Sequence, residues 1–268
     1  MGAFYETISP SLIEWILKQK MFTVATAPLH SKGHVNISPK GGEYFGIIDE
    51  RTFWYMELTG SGSETVSHLY EPGNGRITVM FMAFEGPPRI LRLYGYGKCL
   101  EHGTDEYEAF VDQHQVETNP GTRSIIIVNV HQVGTSCGFS VPYYDFKAHR
   151  PILNDFFEKK KAKFDAGHEK ESMPKYWAYK NAWSNDGLPS YNHALKAAKS
   201  DSIAPMGKMV GAYSKPCYTQ SSKATFTPGQ VILIAMASAL LAAIVVLLAP
   251  SMESKLILSL PFSFRSTA

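Results

Sequence analysis

Thr52–Leu69, TFWYMELTGSGSETVSHL, changes secondary structure partway through. Phe53, Trp54, Tyr55 and Met56 are bulky and β-favouring, so Thr52–Leu58 opens the stretch as a strand. Thr59-Gly60-Ser61-Gly62-Ser63 breaks it, and Glu64–Leu69 resumes with a helical pattern. Ser61 with Glu64 fits an S-x-x-E capping box, and Ser63 is a second candidate N-cap. A strand feeding a hydroxyl-rich loop at a helix start presents N–H and O–H donors to an anion such as phosphate. The same composition also serves a tight strand-to-helix turn. Neither G-x-x-x-x-G-K-[ST] nor a complete G-x-G-x-x-G is present, so any cation must come from elsewhere in the chain.

Short strand-like segments surround this stretch: Phe22–Ala27, His34–Ser38, Phe45–Ile48, Arg76–Phe84, Arg89–Glu101 and Ser124–Val133, with Ser31-Lys32-Gly33 as a hairpin turn. Ser9-Pro10 starts an amphipathic helix over Pro10–Lys20, and helices fit Glu64–Glu71 and Thr104–His114. Many antiparallel-looking strands with few crossover helices predict an α+β, barrel-like domain over residues 1–150. Residues 151–199 read as a helical extension and 200–229, rich in Ser, Thr, Lys, Gly and Pro, as a flexible linker. Val231–Ala249 is uncharged and, but for Ser238, apolar, long enough at about 1.5 Å per residue to cross a bilayer core of ~30 Å. Composition therefore predicts a transmembrane helix over 230–250 and a short tail over 251–268. Lys208, Lys215 and Lys223 before the span place the large domain on the cytosolic side. Without that tail the chain reads as cytoplasmic.

The 268 residues carry a formal net charge of +2, which offers nothing to attract nucleic acid. Cys99, Cys137 and Cys217 are widely spaced, with no zinc-like pattern, and the nine histidines form no i, i+4 ligand pair on a predicted helix. Gly134-Thr-Ser136-Cys-Gly138 matches G-x-S-x-G, but Phe139-Ser-Val-Pro142 cannot start the helix a nucleophile elbow needs. In His34–Gly42, HVNISPKGG, Asn36 and Ser38 share one strand face and Pro39-Lys40 follows, placing polar groups and an ammonium at a strand end. Arg92 sits mid-strand among apolar residues and Arg89 just before it, so each needs an anionic partner, either a ligand or an internal carboxylate.

FTVATAP, GHVNISPKGG, LTGSGSETVSHL, RITVMFMAFEGPPRILRLYGYGK and SCGFSVP, in this order, resemble the pyridoxamine 5′-phosphate oxidase-like family of FMN-binding split barrels. The resemblance implies an antiparallel split β-barrel with flanking helices, a homodimer, and FMN in a cleft at the subunit interface. By position, His34–Lys40 would line the flavin ring and Lys40 falls on a flavin-contacting lysine. Ser63-Glu64-Thr65 falls on the Ser-Arg-Lys that grips the FMN phosphate, keeping the serine and losing both cations; Thr59, Gly60 and Ser61 form the strand end before it. The expected cofactor set is Asn36, Ser38, Pro39, Lys40, Thr59, Gly60, Ser61, Ser63, Thr65, Arg89 and Arg92, with charge supplied by Lys40 and the two arginines. The C-terminal Arg-Leu-x-Pro of the authentic oxidases is missing, which speaks against pyridoxamine phosphate as substrate. The implied activity is an FMN-dependent oxidoreductase acting on a small molecule. The alternative is a membrane-tethered module binding flavin, deazaflavin or haem without catalysis, with His34 and His68 as haem candidates.

Overall fold

A computed structural model of the chain describes residues 2–204, 206–213, 216–218, 235–236 and 238–245. Residues 1–219 form one compact unit and residues 220–268 another.

In the first unit every strand pairing is antiparallel. The strands run β1 (Ala3–Tyr5), β2 (Met21–Thr26), β3 (Asn36–Gly41), β4 (Phe45–Asp49), β5 (Thr52–Leu58), β6 (Arg76–Met82), β7 (Ile90–Glu101) and β8 (Thr122–Ser136). Their order in the sheet is β3-β2-β6-β7-β8-β5-β4, with β1 added to β8. The predicted strands are therefore present with shifted ends. β3 begins at Asn36 rather than His34 and runs on to Gly41, because Phe22 and Met21 pair with Lys40 and Gly41. His34 is held off the strand by Asp186, whose Oδ2 accepts from the His34 N–H at 2.7 Å. At the β7–β8 bulge, a Cβ on Gly95 would sit 2.4 Å from the Asn129 carbonyl oxygen, so only glycine fits there.

Alternate residues of β6, Ile77, Val79 and Phe81, are buried while their neighbours are half-exposed, the period-2 signature of a sheet with one face in a core. That core shows the sheet to be strongly curled. Phe22 of β2 packs edge-on to Phe45 of β4 at 5.2 Å between ring centroids and to Phe53 of β5 at 5.5 Å. In sheet order those strands lie at opposite ends, so the two edges have come round to face one another.

Helices pack around the barrel: α1 (Pro10–Leu17), α2 (Glu64–Tyr70), α3 (Asp105–His114), α4 (Ile152–Asp165), α5 (Met173–Asn181) and α6 (Asn192–Ser200). α5 and α6 are fastened to the barrel by hydrogen bonds. Trp177 donates its indole N–H to Thr59 Oγ1 at 2.9 Å, and Asn181 donates to the Gly60 carbonyl at 2.9 Å. Buried Glu101, at the end of β7, caps α6: its carboxylate accepts from the Asn192 N–H at 2.8 Å, the His193 N–H at 3.0 Å and the Tyr70 hydroxyl at 2.7 Å. Residues after Ser200, read from composition as linker, continue along the same unit in their described part. The Met206 N–H donates to the Tyr179 carbonyl at 2.9 Å and the Tyr218 N–H to the Asp186 carbonyl at 2.9 Å.

The expected transmembrane helix and membrane localisation are corrected here. Among the described residues no helix is long and apolar enough to cross a membrane. Within 231–249 the described residues are 235–236 and 238–245, all helical. Apolar composition is necessary for a span, but continuous helix is necessary too. The rest of 231–249, the last residues of the expected linker and the tail over 251–268 lie outside the described residues.

Burial alone would raise the Glu101 pKa, but the hydrogen bonds from His193, Asn192 and Tyr70 pull it down to about 2. Its folded value lies below its ordinary 4.5, so it stabilises the fold above about pH 4.5 and loses that contribution as pH falls towards about 2. Glu101→Ala should cost ~2–4 kcal/mol in urea unfolding at neutral pH, since it strands buried donors. Its acid-unfolding curve, followed by circular dichroism, should be flatter than wild type across that window.

Candidate functional site

Where the two sheet edges meet, a cavity of about 300 Å³ opens between β3, the end of β5 and the start of α2. Asn36, Ser38, Pro39 and Lys40 line one wall; Glu57 to Gly60 and Gly62 to Thr65 line the other; Arg123, Leu153 and Tyr191 complete it. The motif HVNISPKGG and the loop after β5, separate in sequence, thus share one cavity.

At its centre stands Glu57. Its Oε1 accepts from Lys40 Nζ at 2.6 Å and from Arg123 Nη2 at 3.0 Å. Glu57 and Arg123 are 3% and 5% exposed, so a lone charge at either place would be very costly. Burial pushes the Glu57 carboxyl up, and Lys40 and Arg123 more than offset it, leaving the group ionised below the usual carboxylate range. The Arg123 guanidinium lies 5.0 Å from the Tyr191 ring, and its Nη1 also donates to the Gly62 carbonyl at 2.8 Å. The cluster has two cations against one carboxylate. Three of its buried polar atoms, Ser38 Oγ, Glu57 Oε2 and Arg123 Nε, have no hydrogen-bond partner among the described residues.

The loop itself behaves differently from the phosphate grip that the sequence suggests. Ser63 is the N-cap of α2 but its hydroxyl donates to the Trp183 carbonyl at 3.1 Å. Glu64 turns back: its Oε2 accepts from the Ser63 N–H at 3.0 Å and its Oε1 from the Asn185 N–H at 3.2 Å, with Lys208 Nζ 3.7 Å away. The capping carboxylate is thus Glu64 acting on Ser63, one residue away, rather than on Ser61. Ser61 is exposed and outside the cavity lining.

Of the expected residues, the fold brings together Asn36, Ser38, Pro39, Lys40, Thr59, Gly60, Ser63 and Thr65. It does not bring Arg89 or Arg92 to them. Arg89 lies over the Trp15 ring at 5.3 Å and Arg92 Nη1 donates to Ser136 Oγ at 3.4 Å, both outside this lining. His34 and His68, the haem candidates, do not line the cavity either: His34 Nδ1 is 2.6 Å from Asp186 Oδ1, and His68 is fully buried. Sequence reasoning missed Glu57, Arg123 and Tyr191. An arginine at the start of the apolar run SIIIVNV is a weak signal, and only the register of β5 on β8, Glu57 opposite Ser124, sets it beside Glu57.

A curled antiparallel sheet with a charged cavity at its open seam defines a split-barrel protein. The chain is 35% identical over 210 residues to the pyridoxamine 5′-phosphate oxidase family protein ustO of Aspergillus flavus, covering 73% of this chain and 80% of that one. It belongs to the pyridoxamine 5′-phosphate oxidase family. No family model matches the chain. Among solved structures, a variant of HupZ from Group A Streptococcus aligns over 48% of this chain and 99% of its own, with 25% identity and a TM-score of 0.39. The FAD binding protein from Mycobacterium smegmatis aligns over 49% and 97%, with 13% identity and a TM-score of 0.33. The family assignment rests on the Aspergillus relative.

Glu57→Ala should destabilise the chain by ~3–5 kcal/mol in urea unfolding, because it leaves Arg123 buried without its carboxylate. The double variant Glu57→Met/Arg123→Met should recover most of that loss. A single-variant cost no larger than that of a surface carboxylate would contradict the buried-triad description.

Proposed function

We propose that the chain is an FMN-dependent oxidoreductase acting on a small molecule by flavin hydride transfer, with two copies of the chain forming the working unit. The observation that carries this reading is the cavity charge: Lys40 and Arg123 against Glu57, with Ser38 Oγ and Arg123 Nε buried and unpartnered among the described residues. An anionic ligand group gains most where cations are pre-positioned in a water-poor site. A volume of about 300 Å³ is at the low end of the roughly 300–1,000 Å³ typical of small-molecule pockets, which suits a site completed by a second subunit.

In this reading Lys40 and Arg123 hold the anionic end of the cofactor, and Asn36 and Ser38 face its ring. Bound FMN supplies hydride acceptance and donation, chemistry the side chains cannot supply. The protein's share is to orient the ring, fix the charge near it and exclude water. Leu153, at the start of α4, helps cover the cavity, and Asn154 beside it donates to the Tyr44 hydroxyl at 2.8 Å. The pairing of two copies is supported by apolar side chains left in solvent on one chain: Phe4, Val35, Ile37 and Tyr96 are each more than half exposed.

Purified protein should be yellow and release FMN on denaturation, and NADH or NADPH should bleach it. Lys40→Met should weaken FMN binding by about ten-fold or more, and riboflavin binding much less, because an ammonium–phosphate contact is worth about 1.5–3 kcal/mol. A colourless protein whose melting temperature is unmoved by added FMN would sink the reading.

A further inference from the structure

A short chain of hydrogen bonds runs from the cavity wall into the core. Asn36 Nδ2 donates to Thr65 Oγ1 at 3.0 Å and to Thr26 Oγ1 at 3.2 Å, and Thr26 Oγ1 lies 2.8 Å from His68 Nδ1. An amide nitrogen has two hydrogens, so both are spent and the carbonyl Oδ1 is the polar end that Asn36 has left.

The tautomer of His68 follows from counting donors. If Nδ1 carried the proton, the Thr26 hydroxyl hydrogen would have no acceptor among the described residues, and Nε2, which is buried without a partner, would be an orphaned acceptor as well. If the Thr26 hydroxyl donates to Nδ1, only the Nε2 N–H is left over. With the Asn36 amide turned as it is, both N–H groups on threonine hydroxyls, the second arrangement strands one buried group instead of two. Burial also lowers the His68 pKa, in keeping with a neutral ring. The two placements are coupled: His68 accepting at Nδ1 goes with Asn36 donating to Thr26, and an Nδ1–H would go with the amide reversed. With Nδ1 accepting, reversing the Asn36 amide alone would set its carbonyl against two hydroxyl oxygens, one of which has already committed its hydrogen.

We infer that His68, acting through Thr26, is a positioning residue that fixes the amide of Asn36, so that this wall of the cavity accepts hydrogen bonds through Asn36 Oδ1 and selects a heteroaromatic ring with an imide-type N–H. Ser38 Oγ, two residues along the same face of β3 and buried without a partner among the described residues, is the neighbouring polar group on that wall. The inference rests on the flavin reading, since the isoalloxazine ring carries such an N–H at N3. A site built to meet an N–H rejects the analogue that lacks it, because its own acceptor is then left unpaired.

The test compares FMN with N3-methyl-FMN by quenching of flavin fluorescence, using the full chain. Wild type should bind FMN about ten-fold or more tightly than the N-methyl analogue. Thr26→Val, nearly isosteric, and His68→Leu should each shrink that ratio to less than about three-fold, whereas His68→Asn, whose side-chain oxygen can replace Nδ1 as acceptor, should keep it. A merely structural role for His68 would move both dissociation constants together and leave their ratio alone. Equal binding of the two flavins by wild type overturns the inference and leaves the flavin reading standing; binding of neither overturns both. Independently of any ligand, ¹⁵N spectra of histidine-labelled protein should show His68 as the Nε2–H tautomer, and an Nδ1–H tautomer overturns the inference.

Discussion

One carboxylate, Glu57, holds two cations that reach it from different strands: Lys40 from β3, at one edge of the sheet, and Arg123 from β8. The first of these contacts bridges the seam of the barrel. It also forms the charged wall of the cavity. A buried ion triad is a poor choice if stability is the only aim, because apolar residues of similar volume are often as good or better. What an apolar cluster cannot do is keep an ammonium and a guanidinium at fixed places beside a cavity. The triad therefore makes most sense as a device for holding positive charge ready, with Glu57 as the counter-ion that makes its burial tolerable.

The strands were legible because their pattern is local. RITVMFMAF alternates, FWYM is strongly β-favouring, and both occupy strands close to the expected bounds. Half of the cavity was legible for the same reason, since Asn36, Ser38 and Lys40 lie on one short strand and the loop after β5 is marked by glycine and serine. Arg123 and Tyr191 were not, because what makes them part of the site is register and docking across more than sixty residues of chain separation, as between Arg123 and Glu57. Arg89 and Arg92 failed in the opposite way. Their sequence context demanded anionic partners, and the fold gives them an aromatic face and a hydroxyl instead, in Trp15 and Ser136, away from the cavity. The apolar tail shows the limit of composition: a nineteen-residue uncharged run meets the length requirement for a span, but no described helix meets it.

The loop Thr59–Thr65 marks where a motif reading and a structural reading part. Its polar groups are largely committed to the segment from Trp177 to Ser190: Thr59 Oγ1 to Trp177, the Gly60 carbonyl to Asn181, the Ser63 hydroxyl to Trp183 and the Ser63 carbonyl to Ser190. A loop so engaged is rigid, and its hydroxyls are spent on shape. Charge for a ligand then has to come from the strands, whose side chains are better fixed than those of a free loop.

Glu64 is the remaining objection to an anionic ligand, since it lines the same cavity and carries the same sign. Its charge is already answered. Two backbone N–H groups donate to it, from Ser63 and Asn185, and the Lys208 ammonium stands 3.7 Å away on the segment that follows α6. Lys208 is itself mostly buried, and that burial lowers its pKa, while Glu64 beside it favours the charged ammonium. Paired in this way Glu64 and Lys208 contribute little net field, and the field in the cavity is that of Lys40 and Arg123 less Glu57, one positive charge in excess. The chain can therefore keep a carboxylate at the start of α2 without giving up the attraction of the cavity for an anion, provided the segment carrying Lys208 stays where it is.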